Sequence, residues 1–377
     1  MSRIPFSKPD ITDLDIKSVV DSIKSGWLTH GENSILLEDL FCQYTGAKYA
    51  TTVSNCTAGL HLSCLAAGFS TNDEVIVPAQ THVATAHAVE YTGAKPIFVD
   101  VNPVSGNIKL DSIHSKLSKR TKGIIPVHMA GYACQMDEIK RICSDNNLIL
   151  IEDCAHAIGT FFNHSHVGTF GKVGCFSFYP TKQITTGEGG MVISNDKSFI
   201  DKIKTLKAFG IDTPPALREK PGLYDVKRLG YNYRMTDFQA ALGVGQIKRY
   251  TINLQKRQSN ANIYTNILRK SNKISFIDFT NDCSYFLFQI LISETIDRDL
   301  IMRYLINRKI GLSIHYATPV PLMTYYRKKY GYKEGQFKNA ENFGKKNISL
   351  PVHSNLSTND IEYICETLRE AIEDASR

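Results

Sequence analysis

Seven short apolar runs mark the first 250 residues: KYATTV, EVIVP, KPIFVD, GIIPVH, LILIED, VGCFSF and GMVIS. Their near-continuous apolar character predicts strands buried on both faces. Between several of them lie amphipathic segments, at 57–67, 83–91 and 136–146, which predict helices. Strand and helix in alternation predict an α/β architecture, a largely parallel sheet with helices on both faces.

The pattern changes after about Tyr250. A long polar helical segment covers 252–270. SYFLFQILI and IGLSIHY then read as strands, with a helix over 297–308 between them. In STNDIEYICETLREAI, Ser357 and Asp360 stand in a capping-box relation, and Ile361, Ile364, Leu368 and Ile372 share one helical face. The expected organisation is a large α/β domain, 1–250, and a smaller C-terminal α+β domain, 251–377. No repeat or low-complexity linker interrupts it.

Composition narrows the class without naming a function. With 377 residues, 42% hydrophobic and 21% charged, the chain reads as an ordinary globular protein. The opening MSRIPFSKPD has no long apolar segment, and no stretch approaches membrane-spanning length, so no membrane partner is expected. Nine cysteines without a CxxC pair read as reduced thiols, which predicts a cytoplasmic protein. The net charge of +7 suits an anionic small ligand but demands none. YYRKKYGYK interleaves basic and aromatic residues, yet no other basic stripe accompanies it. It reads as a solvated helix end before a glycine turn, and no nucleic-acid partner is expected.

Four places could carry chemistry. LILIEDCAHA ends a buried strand abruptly in Glu152 and Asp153, where open α/β sheets bind ligands. Asp153 could hold a positive ring nitrogen, or simply cap the next helix. VSNCTAGLHL leads a strand into a helix start, whose N–H groups suit phosphate, with the Thr57 hydroxyl beside them. FSFYPTKQITTGEGG places Lys182 between an aromatic run and a glycine-rich turn. That is the setting of a lysine made nucleophilic by desolvation. LGYNYRMTDFQAALG puts a polar-aromatic loop before a helix with small residues, which suits an interface. A phosphate pole, a carboxylate and a lysine together are what pyridoxal 5'-phosphate (PLP) requires.

These motifs resemble the sugar aminotransferases of the DegT/StrS family, which are fold-type-I PLP enzymes. The resemblance runs from SGWLTHG through NDEVIVPAQTHVATAHAVEYTGAKPIFVDV, LILIEDCAHAIG, GCFSFYPTKQITTGEGGMVISND and GYNYRMTDFQAALG to IGLSIHYATPVPL and ISLPVH. It implies that Lys182 is the Schiff-base lysine and that Asp153 pairs with the pyridine nitrogen. It places His156 near the ring hydroxyl, and Ser177 and Thr57, in the loop with Cys56, at the cofactor phosphate. Asn232 would reach the phosphate of the neighbouring subunit, which implies a homodimer with shared sites. Cys56 stands where glycine is common, His82 where an aromatic ring usually stacks on the pyridine, and Pro321 where many members have His.

The same resemblance implies transfer of an amino group, with pyridoxamine phosphate as the intermediate form of the cofactor. The donor would be glutamate and the acceptor a keto sugar on a nucleotide diphosphate, in bacterial glycan precursor synthesis. Members that remove a hydroxyl carry His where this chain has Lys182, and TTGEGG is the form associated with amination at carbon 4. Sugar contacts are expected in the loop 211–224 and near Pro321. Rival readings are another fold-type-I enzyme, lyase or dehydratase-like, and a non-catalytic aminotransferase-like regulator. The first usually has His before the lysine, where Thr181 stands here. No familiar metal spacing is present: His164 and His166 read as part of a hairpin turn.

Overall fold

The computed structural model describes residues 3–211, 213 and 219–375. The predicted strands of the first part form one seven-stranded sheet. They are β1 (Tyr49–Val53), β2 (Glu74–Pro78), β3 (Lys95–Val99), β4 (Thr121–Ile124), β5 (Ile149–Asp153), β8 (Val173–Ser177) and β9 (Gly190–Ser194). A two-stranded hairpin, β6 (Phe161–Phe162) and β7 (Ser165–His166), lies between β5 and β8. The sheet order is β1-β9-β8-β5-β4-β2-β3. From β3 to β8 every pairing is parallel, and β9 inserts antiparallel between β8 and β1. The fold is α/β, with a mostly parallel central sheet.

The helices of this part are α1 (Asp13–Lys24), α2 (Glu32–Thr45), α3 (Cys56–Ala66), α4 (Val83–Glu90), α5 (Leu110–His114), α6 (Met136–Asp145) and α7 (Lys197–Leu206), and all but α1 pack on the sheet. The apolar strand residues explain the double cover. Val53, Val77, Ile151, Cys175 and Val192 face a core shared with α3, α4 and α7. Phe176, Met191 and Ile193 face another, with Phe41, Ala240 and Tyr250.

The two helical signals near 237–243 and 252–270 prove to be one helix, α8 (Asp237–Leu268), of 32 residues. It starts at a capping box in which Thr236 and Gln239 bond reciprocally, and it spans roughly 48 Å. Beyond it, β10 (Ile274–Ser275), β11 (Phe288–Ile292) and β12 (Asn347–Leu350) form an antiparallel sheet, with α9 (Arg298–Asn307) and α12 (Thr358–Ala375). The Ser357–Asp360 box opens α12, and Ile361, Ile364, Leu368 and Ile372 are buried on its inner face. Between β11 and β12, α10 (Thr324–Tyr330) and α11 (Lys338–Lys346) reach back. Val320, Tyr326, Phe337 and Ala340 join the core of the large sheet.

Three strand expectations shorten. GIIPVH ends its strand at Ile124, because Pro126 has no N–H for a ladder. SYFLFQILI becomes a strand only at Phe288, because Tyr285 has φ of 45° and breaks the extended run. IGLSIHY is not a strand. It makes isolated bridges, Ile4 to Ile310 and Ser313 to Ser349, and brings His315 and Tyr316 to a cleft. The hairpin reading at 164–166 holds: Asn163 and His164 take positive φ between β6 and β7.

Candidate active site

The strand directions assemble the site. β1, β2, β5 and β8 all end at one edge of the sheet, and the residues at and just beyond those ends line one cleft of about 690 Å³. β1 leads into Asn55, Cys56 and Thr57; β2 leads to His82; β5 ends in Asp153; β8 ends in Ser177. This is the position where parallel sheets bind ligands. Lys182 enters from the loop joining β8 to β9. Of the cofactor-site residues expected from sequence, all but Asn232 border this cleft.

The phosphate pole is the start of α3. Asn55 caps it, its Oδ1 accepting from the Ala58 N–H at 2.8 Å. Gly190 of β9 passes directly beneath: a Cβ there would sit 2.7 Å from the Asn55 carbonyl carbon and 2.8 Å from the Cys56 nitrogen. Only glycine allows that approach. The Cys56 thiol is buried, and burial pushes its pKa well up, so it stays neutral. Ser177 sits at the strand end, its Oγ 3.4 Å from the Tyr179 N–H.

Asp153 is buried, and burial raises its pKa. Its Oδ2 accepts from the Thr85 hydroxyl at 2.7 Å, and its Oδ1 from the Ala155 N–H at 3.1 Å. Thr85 is itself bonded to Thr81 at 2.7 Å. No lysine or arginine of the described residues comes within ion-pair distance of it. A buried carboxylate held this way favours a cationic partner in the cleft.

Burial lowers the Lys182 pKa from 10.5 to about 8. Its amine lies 4.1 Å from the centre of the Phe286 ring, an apolar surface on one side of it. Three imidazoles surround it, and burial lowers the pKa of each: His156 well below 6.5, His315 to about 3, and His82 at the exposed rim less far. All three are neutral at pH 7. His156 Nδ1 accepts from the Ala130 N–H at 3.3 Å, and its Nε2 lies 3.3 Å from the Tyr316 hydroxyl. His82 caps α4, accepting from the Ala84 N–H at 3.2 Å.

Sequence reasoning missed Thr85, Phe286, His315 and Tyr316. Thr85 lies inside a predicted helix, and the others inside predicted strands. A histidine-tyrosine pair closing an apolar run was the available signal for the last two. Asn232 is exposed and outside this chain's cleft, its Oδ1 bonded to Arg234, while the adjacent Tyr233 borders the cleft. Part of the loop 211–224 lies outside the described residues, and Pro321 is buried away from the cleft lining. Glu152 faces the opposite way from Asp153. It accepts three backbone N–H groups, from Gly168, Phe170 and Gly171, and lies 3.2 Å from His128.

A lysine, a carboxylate and an anion-binding helix start, converging beyond parallel strand ends, define an enzyme of the PLP-dependent kind. The chain belongs to the DegT/DnrJ/EryC1/StrS aminotransferase family, which it matches over residues 9–369. It is 35% identical to GDP-perosamine synthase of Escherichia coli O157:H7, over 99% of this chain and 100% of that one. It is 33% identical to UDP-4-amino-4,6-dideoxy-N-acetyl-beta-L-altrosamine transaminase of Campylobacter jejuni, over 98% of each. The PLP form of the sugar aminotransferase Spr1654 of Streptococcus pneumoniae superposes with a TM-score of 0.93 at 29% identity, over 99% of this chain and 100% of that one.

Proposed function

We propose that the protein is a PLP-dependent aminotransferase that moves an amino group from glutamate to carbon 4 of a keto sugar carried on a nucleotide diphosphate. The observation that carries the chemistry is Lys182 and Asp153 facing one cleft that also holds the α3 start. The residues fit the cofactor: a buried carboxylate without a cation suits its ring nitrogen, and the glycine-floored helix start suits its phosphate. Thr57 and Ser177 would bind that phosphate, His82 would cover the ring, and His156 would stand near its hydroxyl. When bound, PLP supplies a carbonyl that exchanges with amines and a ring that withdraws electrons.

The protein's own part is to hold charge and move a proton. Asp153 keeps negative charge opposite the ring nitrogen. Lys182, with a pKa near 8, is poised to give and take a proton at neutral pH. Phe286 packs on the Lys182 amine, and Tyr316 holds the neutral His156 beside it. Support for the acceptor comes from the relatives, whose names specify nucleotide-linked sugars, one of them a 4-amino sugar. The test is to add glutamate to the PLP-loaded protein. The visible absorption should give way to a band at shorter wavelength, and unchanged absorption would reject glutamate as donor.

The same reading includes a homodimer. Asn232 is exposed beside a residue that borders the cleft, and large apolar side chains are exposed nearby in the chain, at Leu229, and on and just after α1, at Leu14 and Trp27. Mixed dimers test it. Pairing an Asn232→Ala subunit with a Lys182→Ala subunit should leave one site free of both changes and recover part of the activity. No recovery would mean that Asn232 serves its own subunit.

A further inference from the structure

The cleft continues past the residues assigned to the cofactor. It follows α3 for one turn beyond Thr57, along Leu60 and His61, and is bordered there by Tyr91 and Tyr233. Thr57 and His61 are four residues apart and so share a helix face, about 6 Å apart along the axis. His61 is 3% exposed, and its Nε2 is buried without a hydrogen-bond partner. Its Nδ1 lies 3.4 Å from the Tyr233 hydroxyl. With that hydroxyl donating, Nε2 carries the proton and is a donor left unsatisfied.

Aromatic rings enclose this imidazole. Tyr91 stands edge-on to it with centroids 5.3 Å apart, and Tyr231 does so at 4.9 Å. Tyr231 in turn stacks on Tyr233 at 5.1 Å. Tyr91, the cap residue at the end of α4, is 56% exposed and leaves its ring open to a ligand. Burial lowers the His61 pKa to about 4, so its imidazole is neutral at pH 7. Lys182 is the only lysine or arginine among the described residues that line the cleft. A wall of flat rings with a neutral donor and no cation matches a planar, carbonyl-bearing heterocycle and does not match a phosphate.

We propose that His61, Tyr91 and Tyr233 form a subsite for the base of the nucleotide that carries the sugar. This rests on the nucleotide-sugar reading given above and adds to it where the base is recognised. The Tyr91 ring packs against the base, and a shift of that ring opens His61 Nε2–H, sealed in the free protein, to donate to a base carbonyl oxygen. A buried donor without a partner is unfavourable, so a ligand that accepts from it gains affinity.

Calorimetry on the PLP-loaded protein tests this with UDP, GDP and inorganic pyrophosphate as probes. At least one of the two nucleotides should bind more tightly than pyrophosphate. Tyr91→Ala should weaken that nucleotide roughly 10-fold, with pyrophosphate affected far less, and Tyr91→Phe should restore its affinity. His61→Phe should keep the ring wall and still lose affinity for the same nucleotide. Equal nucleotide affinity in wild type and Tyr91→Ala would overturn the subsite and leave the nucleotide-sugar reading standing. A wild-type protein that reacts with glutamate but binds neither nucleotide more tightly than pyrophosphate would remove the nucleotide reading, and the subsite with it.

Discussion

Lys182→Ala is expected to lower turnover by about 10^4-fold or more, because it removes both the anchoring amine and the proton carrier at the reacting carbon. The PLP-loaded variant should also lack the visible absorption that depends on the lysine. Retention of full turnover with a nucleotide-linked keto sugar would reject the assignment. The loss should not come from unfolding, and stability measurements separate the two. Wild-type Lys182 titrates near 8 in the folded protein and near 10.5 when unfolded. Between those values the unfolded chain binds more protons, so stability of the cofactor-free protein rises with pH across that window. Below it, a buried ammonium costs stability, on the order of 3 kcal/mol. Cofactor-free Lys182→Met should therefore melt above wild type at pH 7, with the difference shrinking towards pH 10. A difference that stays constant with pH would mean that charge burial is not its cause.

Asp153→Asn should keep the shape of the site and lose its negative charge. The expected fall in kcat is on the order of 10^3-fold, the scale seen when one preorganised electrostatic group is removed. An amide cannot hold a positive charge on the ring nitrogen, so binding of PLP should suffer less than turnover. Thr85→Val gives the milder companion. It removes the hydroxyl that orients Asp153 through a 2.7 Å bond and should cost roughly 10-fold, as expected of a supporting partner. A Thr85→Val loss equal to that of Asp153→Asn would show that orientation of the carboxylate, not its charge, dominates. An Asp153→Asn enzyme with unaltered kcat would refute the pairing of Asp153 with the ring.

Local pattern carried much of this molecule. The apolar runs located all seven strands of the central sheet, because a strand buried on both faces must be apolar throughout. The Ser357–Asp360 box was legible because a helix cap is a short-range event. Lys182, Asp153 and Thr57 were legible because each sits at a strand end, a helix start or a turn, where the residue types break the pattern around them, whereas Ser177 came from the family resemblance alone. Pattern failed where a contact joined distant segments. Thr85 and Asp153 are 68 positions apart, and Tyr316 and His156 are 160 apart, so no periodicity links them. Phe286 and His315 looked like strand residues because burial against a core and burial against a cleft leave the same apolar trace. The single helix α8 looked like two segments because one part packs beneath the large sheet and the other beneath the small one.

The sequence by itself located the strands of the central sheet, the Ser357–Asp360 cap and the reactive residue types, since these depend on neighbours a few positions away. Only the tertiary structure decided which strand ends meet and how far the Lys182 pKa falls. It alone also decided that Asn232 turns away from its own cleft while His61 lies buried along it with an unpartnered nitrogen. Those properties depend on which distant groups displace water from a given atom, and a one-dimensional pattern of hydrophobic and polar residues does not encode that.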